Sequence, residues 1–473
     1  MPLLPNTIVE AGDWLRTKRI SAVELTTGLL ARAEAAQDSV AAFITITHET
    51  ALAAARQADQ ELAAGTDRGP LHGIPIGVKD IIATVEAPTT ANSRVMDPAW
   101  GAGRDATVIS RLRAGGAIMM GKLGLNEYAI GYPDPDTGFR IPRNPWDLER
   151  FPGGSSSGTG AAIAAGFVLG GLGTDTGGSI RGPAAYCGIS GLKPTFGRVS
   201  KDGCVPLGYS LDNIGPMART AHDCALLLQV MAGYDPRDPS TVDVHVPDML
   251  ATKDTPLAGL RIGTPRSYFF DVPDLDPEAL KAVLAAIDVL VAAGATVSDV
   301  SIPHADIARH AQRVIMFSEA YAYHEPDLQT RPELYGKYTR QSIRQGAMFS
   351  GPDYVQAQRV RSLIKAEVAQ AMPNVDVLIT PTMLGVAPRF DAYDFEGSMR
   401  QPTFMAIWNL TGSPAMSICC GFSSGSNGTL PLGLQIVGKP FDEPTVFRAA
   451  YSYQQLTDWH NRKPEPVWEA QLV

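Results

Sequence analysis

Hydroxyl groups that could attack a carbonyl are concentrated in one stretch, FPGGSSSGTGAAIAAGFVLGGLGTDTGGSIRGPAAYCGISGLKPTFGR, which begins at Phe151 and ends at Arg198. Ser155, Ser156 and Ser157 follow one glycine pair, and Ser179 follows another, Gly177 and Gly178. Glycine has no Cβ, so a glycine-flanked backbone can bring its N–H groups against a ligand and adopt dihedral angles closed to other residues. Acyl transfer needs such N–H groups, because the tetrahedral intermediate carries negative charge on the former carbonyl oxygen. A flexible linker would share the Gly and Ser content. It would not carry the helix-forming run AAIAAGFVL or the strand-like GLKPTFGR.

Other catalytic arrangements find little support. None of the eight histidines lies in the glycine-rich stretch, and no GxSxG elbow surrounds Ser179. Gly116 to Lys122 fits most of a phosphate-binding loop, but Leu123 stands where a Ser or Thr should hold magnesium. No HExxH spacing occurs, and the five cysteines form no CxxC pair. No metal and no cofactor are therefore expected. The vicinal pair Cys419-Cys420 reads as two buried small hydrophobes.

The stretch resembles the amidase signature, from GGSSSG through GTDTGGSIR to GLKPTFGRVS. GIPIGVKD upstream, SLDNIGPMART downstream and LPLGLQIVGKPFDE near the C-terminus are similar to the same family, so the likeness spans almost the whole chain. The resemblance implies a Ser-cisSer-Lys triad. Ser179 would be the nucleophile, Ser155 the bridging serine behind a cis peptide, and Lys79 a buried lysine. It also implies an oxyanion hole from the backbone N–H groups of Thr176, Gly177, Gly178 and Ser179. Asp175 and Arg181 flank the loop and are expected to shape it as a charge pair, with Asp212 in a similar supporting role.

This chemistry is physically consistent. A serine hydroxyl is a poor nucleophile until a base takes its proton. At the ordinary lysine pKa of ~10.4, roughly one side chain in 2,500 is neutral at pH 7. Burial can lower that pKa by ~3–5 units, and Lys79 follows the apolar run IPIGV. A bridging hydroxyl can relay the proton because it both donates and accepts.

The elements that must hold these groups read as an α/β protein. Ser21 and Glu24 suggest a capping box for a helix through Leu30 to Ala35, and Thr47 to Ala64 suggests a second helix. IPIGVKDII, AIMMG, GLRIGTP, ATVSDVSIP, VDVLITP and PLGLQIVG read as short apolar strands. Their alternation with helices predicts a large mixed, mostly parallel central sheet covered by helices on both faces. A single domain over 1–473 is expected, with a signature core at about 71–220 and a substrate-shaping part at about 258–473.

The hydrophobic fraction of 45% and charged fraction of 19% suit a globular protein with a sizeable core. A net charge of −9 without a basic stripe disfavours nucleic-acid binding. MPLLPNTIVEAGDWL has no signal-peptide pattern, and no apolar run reaches the ~18 residues that span a bilayer. A cytoplasmic enzyme with no membrane partner is expected, and a homodimer is among the assemblies allowed.

The expected substrate is a small carboxylic amide, with a carbamate, hydrazide or urea as related options. The resembled family includes the glutaminase subunit of tRNA-dependent amidotransferases. Here the corresponding region reads FSEAYAYHEPD, and a basic element for glutamine's carboxylate is hard to align around Arg340 to Gln345. A free-standing amidase is therefore the expected form, with Tyr132 and Trp408 as candidate walls of an apolar acyl or aryl site.

Overall fold

The computed structural model describes residues 4–465 apart from 131, 393, 399 and 425–427. Among the described residues, eleven strands form one sheet. They are β1 (Phe43–Ile46), β2 (Pro75–Lys79), β3 (Ile118–Leu123), β4 (Gly170–Asp175), β5 (Ser190–Lys193), β6 (Asn213–Ala218), β7 (Arg261–Pro265), β8 (Thr296–Val300), β9 (Val377–Pro381), β10 (Ala415–Phe422) and β11 (Pro431–Gly438). Their spatial order is β1-β3-β2-β4-β6-β5-β10-β11-β9-β7-β8.

The sheet is large and mixed, as expected, but less parallel than the alternation suggested. Parallel pairs are confined to β3-β2-β4 and β9-β7-β8. The centre, from β4 through β6, β5, β10 and β11 to β9, is antiparallel throughout. The connections explain this. β5 reaches β6, and β10 reaches β11, without an intervening helix, and parallel neighbours need a long crossover.

Local expectations fare well. Ser21 and Glu24 form a reciprocal capping box on helix Ala22–Val40, and helix His48–Ala63 follows. The segment resembling a phosphate loop runs into β3, so its Lys122 is a buried strand residue. β2, β3, β4 and β6 are buried at every position. A single hydrophobic cluster extends from Leu4 to Tyr453, and residues of both halves of the chain contribute to it. Among the described residues, no helix is long and apolar enough to cross a membrane.

Candidate active site

Parallel pairing of β2 with β4 sets Val78 beside Leu172, so Lys79 and Thr174 emerge at the same carboxyl edge. Ligands in α/β sheets bind at such edges. Lys79 is wholly buried. Its Nζ lies 2.7 Å from Ser155 Oγ, 3.0 Å from Ser156 Oγ and 2.7 Å from Thr174 Oγ1. Burial pulls its ammonium down from the ordinary lysine range to about 7, although the nearby Cys204, Asp175 and Asp212 act to raise it. A neutral amine with three hydroxyl neighbours can accept a proton from one while donating to the others.

Ser155 and Ser156 sit at the entry to helix Ser157–Ala164, and the Gly154–Ser155 peptide is cis. The helix approaches its neighbours closely. A Cβ on Gly158 would lie 2.5 Å from both Ala42 O and Gly124 N. Ser156 N–H donates to Ser179 C=O at 3.2 Å, which ties the serine loop to the loop after β4. Lys79, Ser155 and the Ser179 loop are thus brought together, and Ser179 is only half-buried.

The loop bearing Ser179 is held from behind by a salt bridge. Asp175 and Arg181 are both fully buried and meet through two hydrogen bonds, each 2.9 Å. Asp175 also accepts from the amides of Gly178 (2.7 Å) and Ile180 (3.1 Å) and from Asn409 Nδ2 (2.9 Å). Burial acts to raise the Asp175 carboxyl, but Arg181, Lys193 and Asn409 together hold the group well below the usual carboxylate range. Arg181 reaches further, to Met405 C=O, Asn409 Oδ1 and Gln435 Oε1.

This arrangement narrows the expected anion cradle. The Gly178 N–H is directed at the Asp175 carboxylate. Among the described residues, the Gly177 and Ser179 amides carry no such bond. Gly178 has φ +130°, in the glycine-favouring region, and a Cβ there would lie 2.6 Å from Met405 Cε. Asp212, at the mouth of β6, accepts from Thr176 Oγ1 at 2.5 Å and from the Leu207 and Gly208 amides. Burial pushes its carboxyl above the usual range, against the pull of Lys201 and these donors.

A cavity of about 850 Å³ opens beside this centre, with Tyr132, Phe151, Gly154, Tyr186, Met383 and Met405 in its walls. Tyr132 lies in this wall, 5.0 Å from the Phe151 ring, centroid to centroid. Trp408 does not. It is fully buried on helix Ala406–Thr411 and stacked on Phe269 at 5.8 Å, as a core side chain behind the cavity. A short apolar helix between strands turns its largest side chain inward, which an apolar sequence cannot distinguish from a pocket wall. Arg340 does not line this cavity, and its Nη1 donates to Pro332 C=O at 3.0 Å.

Several contributors had no signal in the sequence. Ser156 and Thr174 share the lysine, and Gln312, Asn409 and Gln435 brace the loop from 136, 234 and 254 residues away. Only the run of three serines and the first threonine of GTDTGG hinted at the first two. All five cysteines are unbridged, and among the described residues no cluster of His, Cys, Asp and Glu could hold a metal ion.

A family model described as Amidase matches residues 24–447. The A subunit of glutamyl-tRNA(Gln) amidotransferase from Chloroflexus aggregans is 43% identical over 97% of this chain and 98% of its own length. Its namesake from Geobacillus thermodenitrificans is 41% identical, over 98% of this chain and 100% of its own. Among solved structures, one is of a vestigial protein complex bearing on the origins of an s-triazine catabolic enzyme. It superposes with TM-score 0.88 and 33% identity, covering 95% of this chain and 98% of that one. Native peptide amidase from Stenotrophomonas maltophilia superposes with TM-score 0.85 and 29% identity, covering 98% and 99%.

Proposed function

We propose, from the premise that this chain belongs to the amidase family, that it hydrolyses a carboxamide through an acyl-enzyme on Ser179. As a member of that family it is an enzyme acting on amide C–N bonds. Ser179 Oγ attacks the carbonyl carbon while Ser155 takes its proton and passes its own to neutral Lys79. The oxyanion is received by amides among those of Thr176, Gly177 and Ser179. Collapse breaks the C–N bond, and the proton returns through Ser155 to the leaving nitrogen. Water then repeats the sequence on the acyl group, restoring Ser179 and releasing the acid. The observation that carries this reading is a fully buried lysine 2.7 Å from Ser155, with its pKa drawn down to about 7.

The relatives favour one form of this activity. The amidotransferase relatives match at 41–43% identity over nearly their whole length. That supports ammonia release from a primary carboxamide such as glutamine, with partner chains receiving the product. The free-standing form expected from the sequence draws support from the apolar walls of the cavity, Tyr132, Phe151 and Met405 among them.

A panel of primary amides, anilides, carbamates and hydrazides, assayed with wild type and Ser179→Ala, tests the reaction class. Ammonia or amine release that persists in Ser179→Ala would falsify the proposed nucleophile. Co-purification from the native host separates the two forms. A stoichiometric adapter that raises glutamine hydrolysis supports the amidotransferase form, and full turnover by the isolated chain supports the free-standing enzyme.

A further inference from the structure

Each backbone N–H in the nucleophile loop belongs to a peptide unit whose other polar end is a carbonyl. A trans peptide is planar, so its N–H and C=O point in opposite directions. A group that grips the carbonyl therefore sets the aim of the N–H. Three such grips surround Ser179. The Asp175 C=O, in one unit with the Thr176 N–H, accepts from Asn409 Nδ2 at 2.9 Å and from Asn213 Nδ2 at 3.4 Å. The Gly178 C=O, in one unit with the Ser179 N–H, accepts from the Gly182 N–H at 2.8 Å. The Thr176 C=O, in one unit with the Gly177 N–H, accepts from Gln312 Nε2 at 3.1 Å.

Gln312 is buried on helix Ala308–Thr330. Its Nε2 also faces Met316 Sδ at 3.3 Å, one turn along the same helix, so two acceptors fix the side chain. The Thr176 carbonyl determines which end of the side-chain amide faces the loop, since an oxygen there would meet another acceptor. Thr176 is held at a second point, where its hydroxyl bonds to Asp212. Helix and loop touch directly: a Cβ on Gly177 would lie 3.0 Å from Gln312 Nε2. From 170 to 180 only Gly177 and Ser179 are partly exposed. The nucleophile and the residue whose N–H is aimed by Gln312 are thus the two open positions in an otherwise buried strand and loop.

We infer that Gln312 is a positioning residue for the reaction proposed above: it clamps the Thr176 carbonyl and so holds the Gly177 N–H on the developing oxyanion. The inference rests on that reaction and adds to it a side chain that acts through the backbone of Thr176. A dipole already aimed at the site of charge needs no reorganisation as the charge develops. Without the glutamine, the Thr176 carbonyl is a buried acceptor that has lost its partner, and the peptide is free to turn towards another donor. The Gly177 N–H then turns with it. The loss falls on the transition state, where the negative charge appears, and spares ground-state binding.

The test uses a fluorophosphonate, which reports on an activated serine whatever the natural substrate is. The Ser179 Oγ–P bond forms, fluoride leaves, and the phosphoryl oxygen takes up charge as an amide carbonyl would. Wild type should be labelled at Ser179 and Ser179→Ala should not. Gln312→Met keeps the length of the side chain without its donor, and should lower the maximal labelling rate roughly 10- to 100-fold at an unchanged half-saturating concentration. Gln312→Glu keeps the shape, and at pH 8 and above should lose at least as much, because an ionised carboxylate only accepts. Met316→Leu leaves the Thr176 bond in place and should label at close to the wild-type rate. The amide that wild type hydrolyses fastest should show the same split, with kcat reduced and KM steady. Labelling of both Gln312 variants at the wild-type rate, a loss confined to half-saturation, or an equal loss in Met316→Leu overturns the inference and leaves the reaction class standing. A wild-type protein unlabelled at Ser179 overturns the reaction itself, and the inference with it.

Discussion

Lys79 must be uncharged to serve as a base, and its surroundings set the pH at which it is. With a pKa of about 7, roughly a tenth of the population is neutral at pH 6 and nine-tenths at pH 8. The acylation rate is therefore expected to climb through pH 7 with a single ionisation. Lys79→Arg should abolish it, since a guanidinium stays protonated across this range. Thr174→Val removes one acceptor that favours the charged lysine, so the rising limb should move to lower pH while kcat falls. Stability carries the same signature. The folded pKa lies below the unfolded value, so the unfolded chain binds the extra proton between about pH 7 and 10.4, and linkage makes the fold more stable as pH rises across that window. The unfolding midpoint of wild type should gain on that of Lys79→Met as pH is raised from 7 towards 10. A pH-independent gap between the two would refute a depressed lysine. At this scale the sequence was informative about Lys79, Ser155 and Ser179, because their flanking motifs are local. Trp408 and the Gly178 amide were not legible. Trp408 is oriented by Phe269, distant in the chain, and the Gly178 amide by a nearby carboxylate, Asp175, whose own orientation depends on Arg181 and on the distant Asn409.

The loop from Asp175 to Arg181 is an element in its own right, folded around one carboxylate that accepts from two of its own amides. Removing one partner of a buried ion pair leaves the other uncompensated, at a cost of about 3–5 kcal/mol. Arg181→Met should therefore lower the urea midpoint substantially and reduce turnover in the molecules that remain folded. Gly178→Val combines a dihedral angle that disfavours a side chain with a collision against Met405. It is expected to damage packing as well as catalysis. A Gly178→Val protein with wild-type thermal stability would contradict the packing argument. Elements with one dominant local cue were readable in advance, such as the capped helix Ala22–Val40 and the apolar strands β2, β3 and β9. The antiparallel centre was not, since a short buried strand has the same composition in either orientation and only its connections distinguish them.

Across the whole molecule, β5 joins β10 in antiparallel register, Ala415 beside Lys193, and fuses the signature half of the sheet to the C-terminal half. The centre depends on that junction. Met405, Asn409 and Gln435 all belong to the C-terminal half, and all bond to Arg181. A chain ending at residue 400 keeps every member of the Ser-Ser-Lys set, yet it is predicted to hydrolyse no amide and to show a loosened near-ultraviolet circular dichroism signal. Activity in such a fragment would show that the C-terminal bracing is dispensable.

The arginine's last acceptor stands 254 residues after it, and this has a bearing on biosynthesis. A ribosome that has already delivered the lysine and both serines has yet to make the final brace. Nascent polypeptides that stop short of Gln435 therefore carry the whole Ser-Ser-Lys set without full support for the loop that holds Ser179.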